Sequence, residues 1–267
     1  LALAAGEGRP PQQSSSLEIR YLGNMGVALA AEGRLLVIDG FHHGQLRDYA
    51  AVPPELLAPL EGATEPFRSL VAGLATHRHL DHFAAASVVA RLRSDPEFRF
   101  VAPADALDSV RSRSDLPSGA SDRLLLAFPP AGGRKDVSVA GVRIEALDLP
   151  HNPVRHLPPS NVGYLIRLGG FTVLHVGDAE PEPKRYAPHR LPAEQIDVAI
   201  LPYWYATSAA DLIRTAIAPR TLVLSHVEPS ESARLAAEIG KAFPGSIVLT
   251  KPGDRHTIAA KASGDGR

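Results

Sequence analysis

The sequence predicts an α/β (α+β) fold in which two mixed β-sheets pack face to face and helices cover their outer faces, a four-layer αββα sandwich. Three observations predict this architecture. Short apolar runs of strand length recur along the chain, segments of helical period separate them, and strand hairpins occur in both halves. Two packed sheets allow each strand to bury one face, which accounts for the apolar runs.

The first half begins with strands and then alternates strands with helices. From Leu17, the segment LEIRYLG alternates apolar and polar residues, as a half-buried strand does. The segments VALAAEG and RLLVIDG follow around a turn at Glu32-Gly33 and end on Asp39. A polar, proline-containing stretch then predicts a loop with a short helix. The predicted strands SLVAGLAT and FRFVAP are each followed by a predicted helix, HFAAASVVARLRSD and ADALDSVRSR.

The second half repeats this organisation. We predict a strand pair around Gly141 in DVSVAGVRIEALDLP and a hairpin turning at Gly169-Gly170 in NVGYLIRLGGFTVLHVGD. The segment IDVAILP predicts a strand, and SAADLIRTAIAP predicts a helix capped by Ser208. The segments TLVLSH, SESARLAAEIGKAF and SIVLTKPGDRHTIAA complete the alternation as strand, helix and terminal strand region.

Composition narrows the classes of function. The chain has 267 residues and a formal net charge of -1, so we expect no electrostatic binding to nucleic acid or to an anionic membrane. No apolar run approaches the roughly 18 residues that cross a bilayer. The chain has no cysteine and 11 histidines. Histidine and carboxylate are therefore the strong metal ligands that remain.

We expect residues 17–267 to form a single domain after a flexible N-terminal segment at residues 1–16. That segment begins LALAA, which resembles the end of a signal peptide with small residues at its cleavage site. This interpretation predicts an exported or periplasmic protein. The alternative is a cytoplasmic protein whose given sequence begins at an arbitrary position.

A dense group of metal-ligand residues follows the predicted strand SLVAGLAT. His77, His79, Asp81 and His82 occupy four of six consecutive positions. Residues two apart in an extended segment point to the same side, so His77 and His79 can hold one ion. Asp81 and His82 lie where the chain turns into a helix and can reach a second ion, since imidazole and carboxylate suit zinc and similar divalent metals. The alternative, a histidine-rich surface turn, fits this density of ligands poorly.

Four further candidates each follow a predicted strand. Asp39 follows LLVI, His151 follows EALDLP, Asp178 follows FTVLHVG, and His226 ends TLVLSH. Ligand sites gather at strand ends because the loops there approach one another. His156 is the alternative to His151 in PHNPVRHLPPSN, and His151 is preferred because it directly follows the strand. Any one of these residues alone is weak evidence, and their joint pattern with the cluster supports a metal site.

The order of these residues resembles the metallo-β-lactamase-fold hydrolase superfamily, over about Leu17 to Ile258. The resemblance implies metals in a groove at one edge of the two sheets. It implies one metal held by His77, His79 and His151, a second held by Asp81, His82 and His226, Asp178 bridging both, and Asp39 orienting a ligand histidine.

The resemblance also implies a dinuclear metal-dependent hydrolase in which a hydroxide bridging two divalent ions attacks a small-molecule substrate. Zn²⁺ is the expected metal, and Mn²⁺ and iron are alternatives that accept the same ligands. Asp81 is the candidate catalytic residue, because its second oxygen can accept or deliver a proton.

An aspartate at the position of Asp178 is typical of the lactonases, thioesterases, phosphodiesterases and nucleases of this superfamily. Ester, lactone or phosphodiester hydrolysis is therefore predicted ahead of β-lactam hydrolysis. The strand hairpins resemble the branch of ascorbate-phosphate lactonase and N-acyl-phosphatidylethanolamine phospholipase D. The chain departs from that branch at Gly23-Asn24-Met25-Gly26, where relatives have G-H-x-[ST], which weakens the case for phosphate handling there.

Two alternatives belong to other classes. A non-catalytic ligand-binding member of the fold would usually lack one or more metal ligands, whereas every expected ligand is present here. A redox protein of the flavodiiron type typically carries a carboxylate within the cluster and a flavin domain, whereas the cluster here has histidines and we expect a single domain.

An aromatic segment, Tyr203, Trp204 and Tyr205, follows the predicted strand DVAILP. A packed core segment is the default interpretation, and its strand-end position also makes it a candidate wall of the substrate pocket. We expect His156 to contact substrate or to be solvated, and His175 to be buried and hydrogen-bonded.

Overall fold

The computed structural model describes residues 16–44, 48–153 and 159–261, which form two packed β-sheets of seven strands each. The first sheet contains β1 (Ser16–Gly23), β2 (Gly26–Ala31), β3 (Arg34–Ile38), β4 (Leu70–Leu74), β5 (Arg99–Ala102), β6 (Leu124–Leu126) and β14 (Arg255–Ala259). The second contains β7 (Arg134–Asp136), β8 (Arg143–Leu147), β9 (Gly163–Leu168), β10 (Phe171–His175), β11 (Val198–Pro202), β12 (Thr221–Ser225) and β13 (Ile247–Val248). The LALAA segment and His156 lie outside the described residues.

The two sheets have the same sequence of strand directions. In the first sheet, β14, β1, β2 and β3 pair antiparallel, and β3 to β6 pair parallel. In the second sheet, β7 to β10 pair antiparallel, and β10 to β13 pair parallel. Each sheet therefore has an antiparallel region followed by parallel strands, and β14 from the C-terminal part of the chain completes the first sheet. The mixed sheets are as predicted.

Helices cover the outer face of each sheet. The helices beside the first sheet are α1 (Pro54–Glu61), α2 (Ala85–Ser94) and α3 (Ala104–Arg111). Those beside the second sheet are α4 (Pro183–Tyr186), α5 (Trp204–Ser208), α6 (Ala210–Leu212) and α7 (Ser232–Ala242). No helix within the described ranges is long and apolar enough to cross a membrane.

Three hydrophobic layers hold these elements together. Between the sheets, residues such as Tyr21, Ile38 and Tyr164 are 0% exposed. Outside the first sheet, Val88 of α2 packs in a second layer, and outside the second sheet, Ile239 of α7 packs in a third. Burying one such side chain stabilises the fold by about 1.5–3 kcal/mol. The αββα sandwich is therefore confirmed.

The predicted cap of one helix is wrong. Ser208 ends α5, where its Oγ donates to the carbonyl oxygen of Trp204 at 2.6 Å. Ala209 precedes α6 instead and makes no side-chain cap. The cause is an additional helical turn directly after β11, which sequence periodicity did not reveal. The predicted helix continues beyond α6 as a π-helical turn at Ile213–Ile217.

Candidate metal centre

The predicted ligand residues lie together at one edge of the sandwich, beyond the ends of several strands. Asp39 and His226 directly follow β3 and β12, and His77, His151 and Asp178 lie a few residues beyond β4, β8 and β10. Strands β3 and β4 run parallel, as do β10, β11 and β12, so their carboxyl ends reach the same edge. Strand direction therefore explains why residues far apart in sequence meet here.

The segment 77–82 is a turn that presents four of its six side chains, those of His77, His79, Asp81 and His82, to the site. The backbone N–H groups of His82 and Phe83 both donate to the carbonyl oxygen of His79, at 3.0 and 2.9 Å. Arg78 points outward, with its Nε 3.3 Å from Oδ2 of Asp105. This turn delays the predicted helix, which begins at Ala85.

The ligand atoms form two groups. Within each group, one ligand atom from every residue lies within 4.8 Å of those of the others. The first group is His77, His79, His151 and Asp178, and the second is Asp81, His82 and His226. All are buried except His79, which is half-buried.

The carboxylate of Asp178 lies between the two groups. Its Oδ2 is 3.8 Å from Nε2 of His151 in the first group and 3.2 Å from Nε2 of His226 in the second. Its Oδ1 is 3.4 Å from Nε2 of His82. This carboxylate is therefore within reach of both groups at once.

Several of the facing atoms are buried without a hydrogen-bond partner in the described part of the chain. They are Nε2 of His77, His151 and His226, and Oδ1 of Asp178. Buried polar atoms are almost always paired, because an unpaired one costs about 1–3 kcal/mol. Imidazole nitrogen and carboxylate oxygen are suitable ligands for zinc-like divalent ions. These residues therefore fit a divalent metal centre.

Asp39 contacts a ligand histidine from the side away from the ligand groups. Its Oδ2 accepts a hydrogen bond from Nδ1 of His82 at 3.0 Å and another from Oγ1 of Thr76 at 2.6 Å. Its Oδ1 accepts from the backbone N–H of Thr76 at 2.7 Å. The proton of His82 is thereby held on Nδ1, which leaves Nε2 free to face the second group.

Asn161 joins the loops that carry His151 and Asp178. Its Nδ2 donates to the carbonyl oxygens of Leu149 and Val176, at 2.7 and 3.1 Å. Its Oδ1 accepts from the backbone N–H of Asp178 at 3.2 Å. One buried amide therefore fixes the separation of two strand-end loops.

Gly177 lets the loop of Asp178 pass close to its neighbours. Its φ of 58° is in the left-handed region, and an added Cβ would lie 2.4 Å from Oγ1 of Thr76 and 2.6 Å from Oδ1 of Asn161. Such contacts are far inside van der Waals distance. Only glycine therefore fits before Asp178.

A profile of the beta-lactamase superfamily domain matches residues 37–250, which include every residue of both groups. The chain belongs to the beta-lactamase superfamily. A search of curated proteins found no match.

Solved structures share the fold of this superfamily member at low sequence identity. Igni18, a metallo hydrolase from Ignicoccus hospitalis, is 18% identical with a TM-score of 0.61, over 92% of this chain and 100% of its own. YhfI from Bacillus subtilis, a metallo-beta-lactamase fold protein, is 16% identical with a TM-score of 0.61, over 91% and 99%. Zn²⁺-bound PqqB from Methylobacterium extorquens is 15% identical with a TM-score of 0.57, over 90% and 99%. The beta-lactamase superfamily member described here therefore shares its fold with these solved structures over nearly all of its length.

Aromatic side chains border the second group of this beta-lactamase superfamily site. The ring centroid of Trp204 lies 4.9 Å from that of His226, and Tyr203 packs on Trp204 at 5.6 Å. Tyr49, which follows the polar loop after Asp39, lies 4.3 Å from His226 on a T-shaped contact. Sequence reasoning missed Tyr49, because nothing in its polar surroundings distinguishes it from a solvated loop residue.

Tyr205 does not fit the predicted pocket wall. It is 0% exposed, and its hydroxyl donates to the carbonyl oxygen of Ala179 at 2.8 Å and contacts the hydroxyl of Tyr186. The helical turn of α5 directs Tyr205 into the core, while Trp204 remains partly exposed. The default interpretation, a packed core residue, therefore holds for Tyr205.

His175 has the buried, hydrogen-bonded role that its place within a strand predicts. Its Nδ1 accepts from the backbone N–H of Gly177 at 3.2 Å, so Nε2 carries the proton and donates to the carbonyl oxygen of Met25 at 3.1 Å. Burial lowers the pKa of His175 below its usual range. This histidine is neutral and structural.

The protonation of the metal-free centre follows from burial and from nearby charges. Burial lowers the pKa of His77 well below its usual range, and His82 lowers it further, so His77 is neutral. Burial alone would lower the pKa of His82, but the carboxylates of Asp178 and Asp81 raise it well above its usual range. Burial alone would raise the pKa of Asp178, but His226 and His82 hold it well below its usual range.

Proposed function

We propose that this protein is a dinuclear metal-dependent hydrolase that cleaves an ester, lactone or phosphodiester bond of a small molecule. The observation that supports this most strongly is the position of the Asp178 carboxylate, whose Oδ2 lies 3.8 Å from Nε2 of His151 in one ligand group and 3.2 Å from Nε2 of His226 in the other. A single-ion site would not need a second group of three ligands beside the first.

The two groups define the proposed ligand sets. His77, His79 and His151 would hold the first ion, Asp81, His82 and His226 would hold the second, and Asp178 would contribute to both. Zn²⁺ is the proposed metal, since this histidine-rich set suits it and the similar PqqB binds Zn²⁺. Mn²⁺ and iron are also compatible with these ligands.

Two divalent ions at these positions would supply a water molecule of lowered pKa and would polarise the oxygen of the scissile bond. Around them, the protein's own groups orient the ligands and move the proton. The Asp39 carboxylate accepts the hydrogen bond from Nδ1 of His82, so Nε2 is the nitrogen that faces the site and would bind the ion after losing its own proton. Oδ2 of Asp81 lies 3.6 Å from Nε2 of His226 among the ligand atoms, and the other carboxylate oxygen of Asp81 is the proposed group that accepts a proton from water and delivers it to the leaving group.

Trp204, Tyr203 and Tyr49 form the proposed wall of the substrate pocket beside the second ligand set. Aromatic side chains recognise planar or apolar substrate parts with little loss of conformational entropy. Their position favours substrates that carry such a group next to the scissile bond. The shared aspartate supports esters, lactones and phosphodiesters ahead of β-lactams.

The proposal is tested with an activity panel on purified protein, containing a phosphodiester, a lactone, a thioester and a β-lactam. We expect turnover of at least one of the first three, loss of that activity on chelation, and its return with Zn²⁺, Mn²⁺ or Fe²⁺. If the protein hydrolyses no substrate of the panel after addition of any of these metals, the proposal that it is an enzyme is contradicted.

The shared ligand is tested by Asp178→Ala. We expect this variant to lose at least one bound ion and most activity. Asp197→Ala is the matched control, because Asp197 is also a buried aspartate but accepts its hydrogen bond from the backbone N–H of Thr172, away from the ligand groups. Full metal occupancy in Asp178→Ala would show that this carboxylate is not shared.

A further inference from the structure

Asn24, in the turn between β1 and β2, lies inside the site although the proposed function gives it no role. It is 0% exposed, and its φ of 47° is in the left-handed region. Among non-glycine residues, asparagine adopts this conformation comparatively readily. The turn therefore carries a buried amide into the edge of the sandwich where the ligands meet.

The side chain of Asn24 contacts two members of the second ligand group. Its Nδ2 donates to Oδ2 of Asp81 at 2.9 Å and lies 3.2 Å from the backbone oxygen of the same residue. The same Nδ2 is 3.3 Å from Nε2 of His82. The contacted oxygen of Asp81 is the one that lies 3.6 Å from His226, so the amide acts on the ligand atom itself.

The backbone of Asn24 contacts the third member. Its carbonyl oxygen accepts from the backbone N–H of His226 at 3.3 Å and from the hydroxyl of Ser225. One residue thus contacts Asp81, His82 and His226. Among the hydrogen bonds of the described residues, none joins Asn24 to a histidine of the first group.

The orientation of the amide is set by Asp81. The two ends of an asparagine side chain are distinguished by their hydrogen-bond partners. Here the Oδ1 end is buried without a partner in the described part of the chain, and the Nδ2 end faces the two acceptor oxygens of Asp81. The hydrogen bonds from Nδ2 to Asp81 therefore stabilise this orientation of the amide by more than the unpaired Oδ1 destabilises it.

We propose that Asn24 is the positioning residue of the second metal position. Its amide fixes the side chain of Asp81 so that Oδ2 faces His226 and His82, and its carbonyl fixes the loop of His226. Asn24 contributes no charge, so its effect is on the geometry of the ligands. This inference rests on the proposed two-ion function, because it assigns Asn24 to one ion and not to the other.

The test is a titration of metal-free protein with Co²⁺, followed by calorimetry and by the visible absorption of bound Co²⁺. Asn24→Gly is the informative variant, since glycine accepts the left-handed backbone without strain and removes only the side chain. We expect binding of the first ion to change little and binding of the second to weaken about 10–100-fold, as for other residues that orient metal ligands. The absorption change of the second equivalent should be lost with it.

Asn161→Gly is the matched control, because Asn161 is also a buried asparagine but holds the loops of His151 and Asp178. We expect this variant to weaken binding of the first ion through His151 and, through the shared Asp178, binding of the second ion as well, so its effect is not confined to the second ion. If Asn24→Gly weakens both ions equally, or neither, the proposal is overturned.

Asn24→Asp separates positioning from direct ligation and tests the proposal even where the glycine variant does not fold. A carboxylate cannot donate a hydrogen bond to Asp81. We therefore expect Asn24→Asp to weaken binding of the second ion as Asn24→Gly does. Tighter binding of the second ion would overturn the proposal. If the wild-type protein binds fewer than two ions, the proposed two-ion function is contradicted. The second metal position, and the role of Asn24 at it, is then contradicted too.

Discussion

Nδ1 of His82 donates a hydrogen bond to Oδ2 of Asp39 at 3.0 Å, and both side chains are 0% exposed. The same oxygen of Asp39 accepts from Oγ1 of Thr76 at 2.6 Å. A carboxylate is needed here, because both of its neighbours are donors. The contact links the end of β3 to the turn after β4 and sets which nitrogen of His82 faces the ligand groups.

Asp39→Asn should therefore weaken metal binding about 10–100-fold, the usual effect of losing a group that orients a ligand histidine. The amide nitrogen would face a donor, or the histidine proton would move to Nε2. Calorimetric titration with Zn²⁺ measures the affinity, and Asp197→Asn serves as the remote control. Unchanged affinity in Asp39→Asn would show that His82 is held by its packing alone.

Metal affinity should rise with pH through the neutral range. Burial opposes a charge on His82, but Asp178 and Asp81 raise its pKa well above the usual range. In the metal-free protein this proton stabilises the fold fully below the unfolded pKa of about 6.5, and the stabilisation is lost as pH rises through the raised folded pKa. An ion bound by His82 must displace that proton.

We therefore expect the Zn²⁺ affinity to increase by up to about tenfold per pH unit for each displaced proton between about pH 6 and pH 8. The rise in melting temperature on adding Zn²⁺ should grow in the same direction. Titrations at several pH values in non-chelating buffers measure both. An affinity that is flat over this range would mean that His82 is already neutral in the metal-free protein.

Gly177→Ala should be strongly destabilising, whereas Gly170→Ala should not. Both glycines have positive φ, 58° and 80°, so both variants lose about 1–2 kcal/mol to left-handed strain. Only at Gly177 would the new Cβ also lie 2.4 Å from Thr76, which adds about 1–3 kcal/mol of overpacking. Urea unfolding of the metal-free proteins measures the difference, and equal losses in the two variants would contradict the steric argument.

Trp204→Ala should raise KM without removing metal. Its ring lies 4.9 Å from that of His226 but is not part of either ligand group, so a loss of roughly 0.5–1.5 kcal/mol in substrate binding is expected. Tyr205→Phe is the contrasting variant, because its hydroxyl bonds to Ala179 in the core. We expect Tyr205→Phe to lower the melting temperature and to leave KM unchanged. A raised KM in Tyr205→Phe together with an unchanged KM in Trp204→Ala would contradict this assignment of Trp204 to the pocket and Tyr205 to the core.

The candidate metal ligands could be found from the sequence because their chemistry and their position agree. His77 to His82 form a dense cluster, and His151, Asp178 and His226 each follow an apolar strand. Strand ends of parallel strands meet at one edge, so the sequence pattern implied proximity without coordinates. The four layers followed from the same alternation of strands and helices.

The residues that support the ligands could not be found in this way. Asn24, Asn161 and Tyr49 are ordinary residues of turns and loops, and their importance comes from contacts with residues far away in sequence. The cap predicted at Ser208 is wrong for a related reason, on which the choice between core and pocket for Tyr205 also depends. Residues 204–208 form a short helical turn, and only tertiary packing determines which of its side chains enter the core.

The number of divalent ions bound per chain tests the central claim most directly. Equilibrium dialysis of metal-free protein against Zn²⁺, followed by elemental analysis, gives this number without any assumption about substrate. The two ligand groups joined by Asp178 predict close to two ions per chain in the wild-type protein. A value of one at saturation, or of none, would contradict a shared two-ion centre.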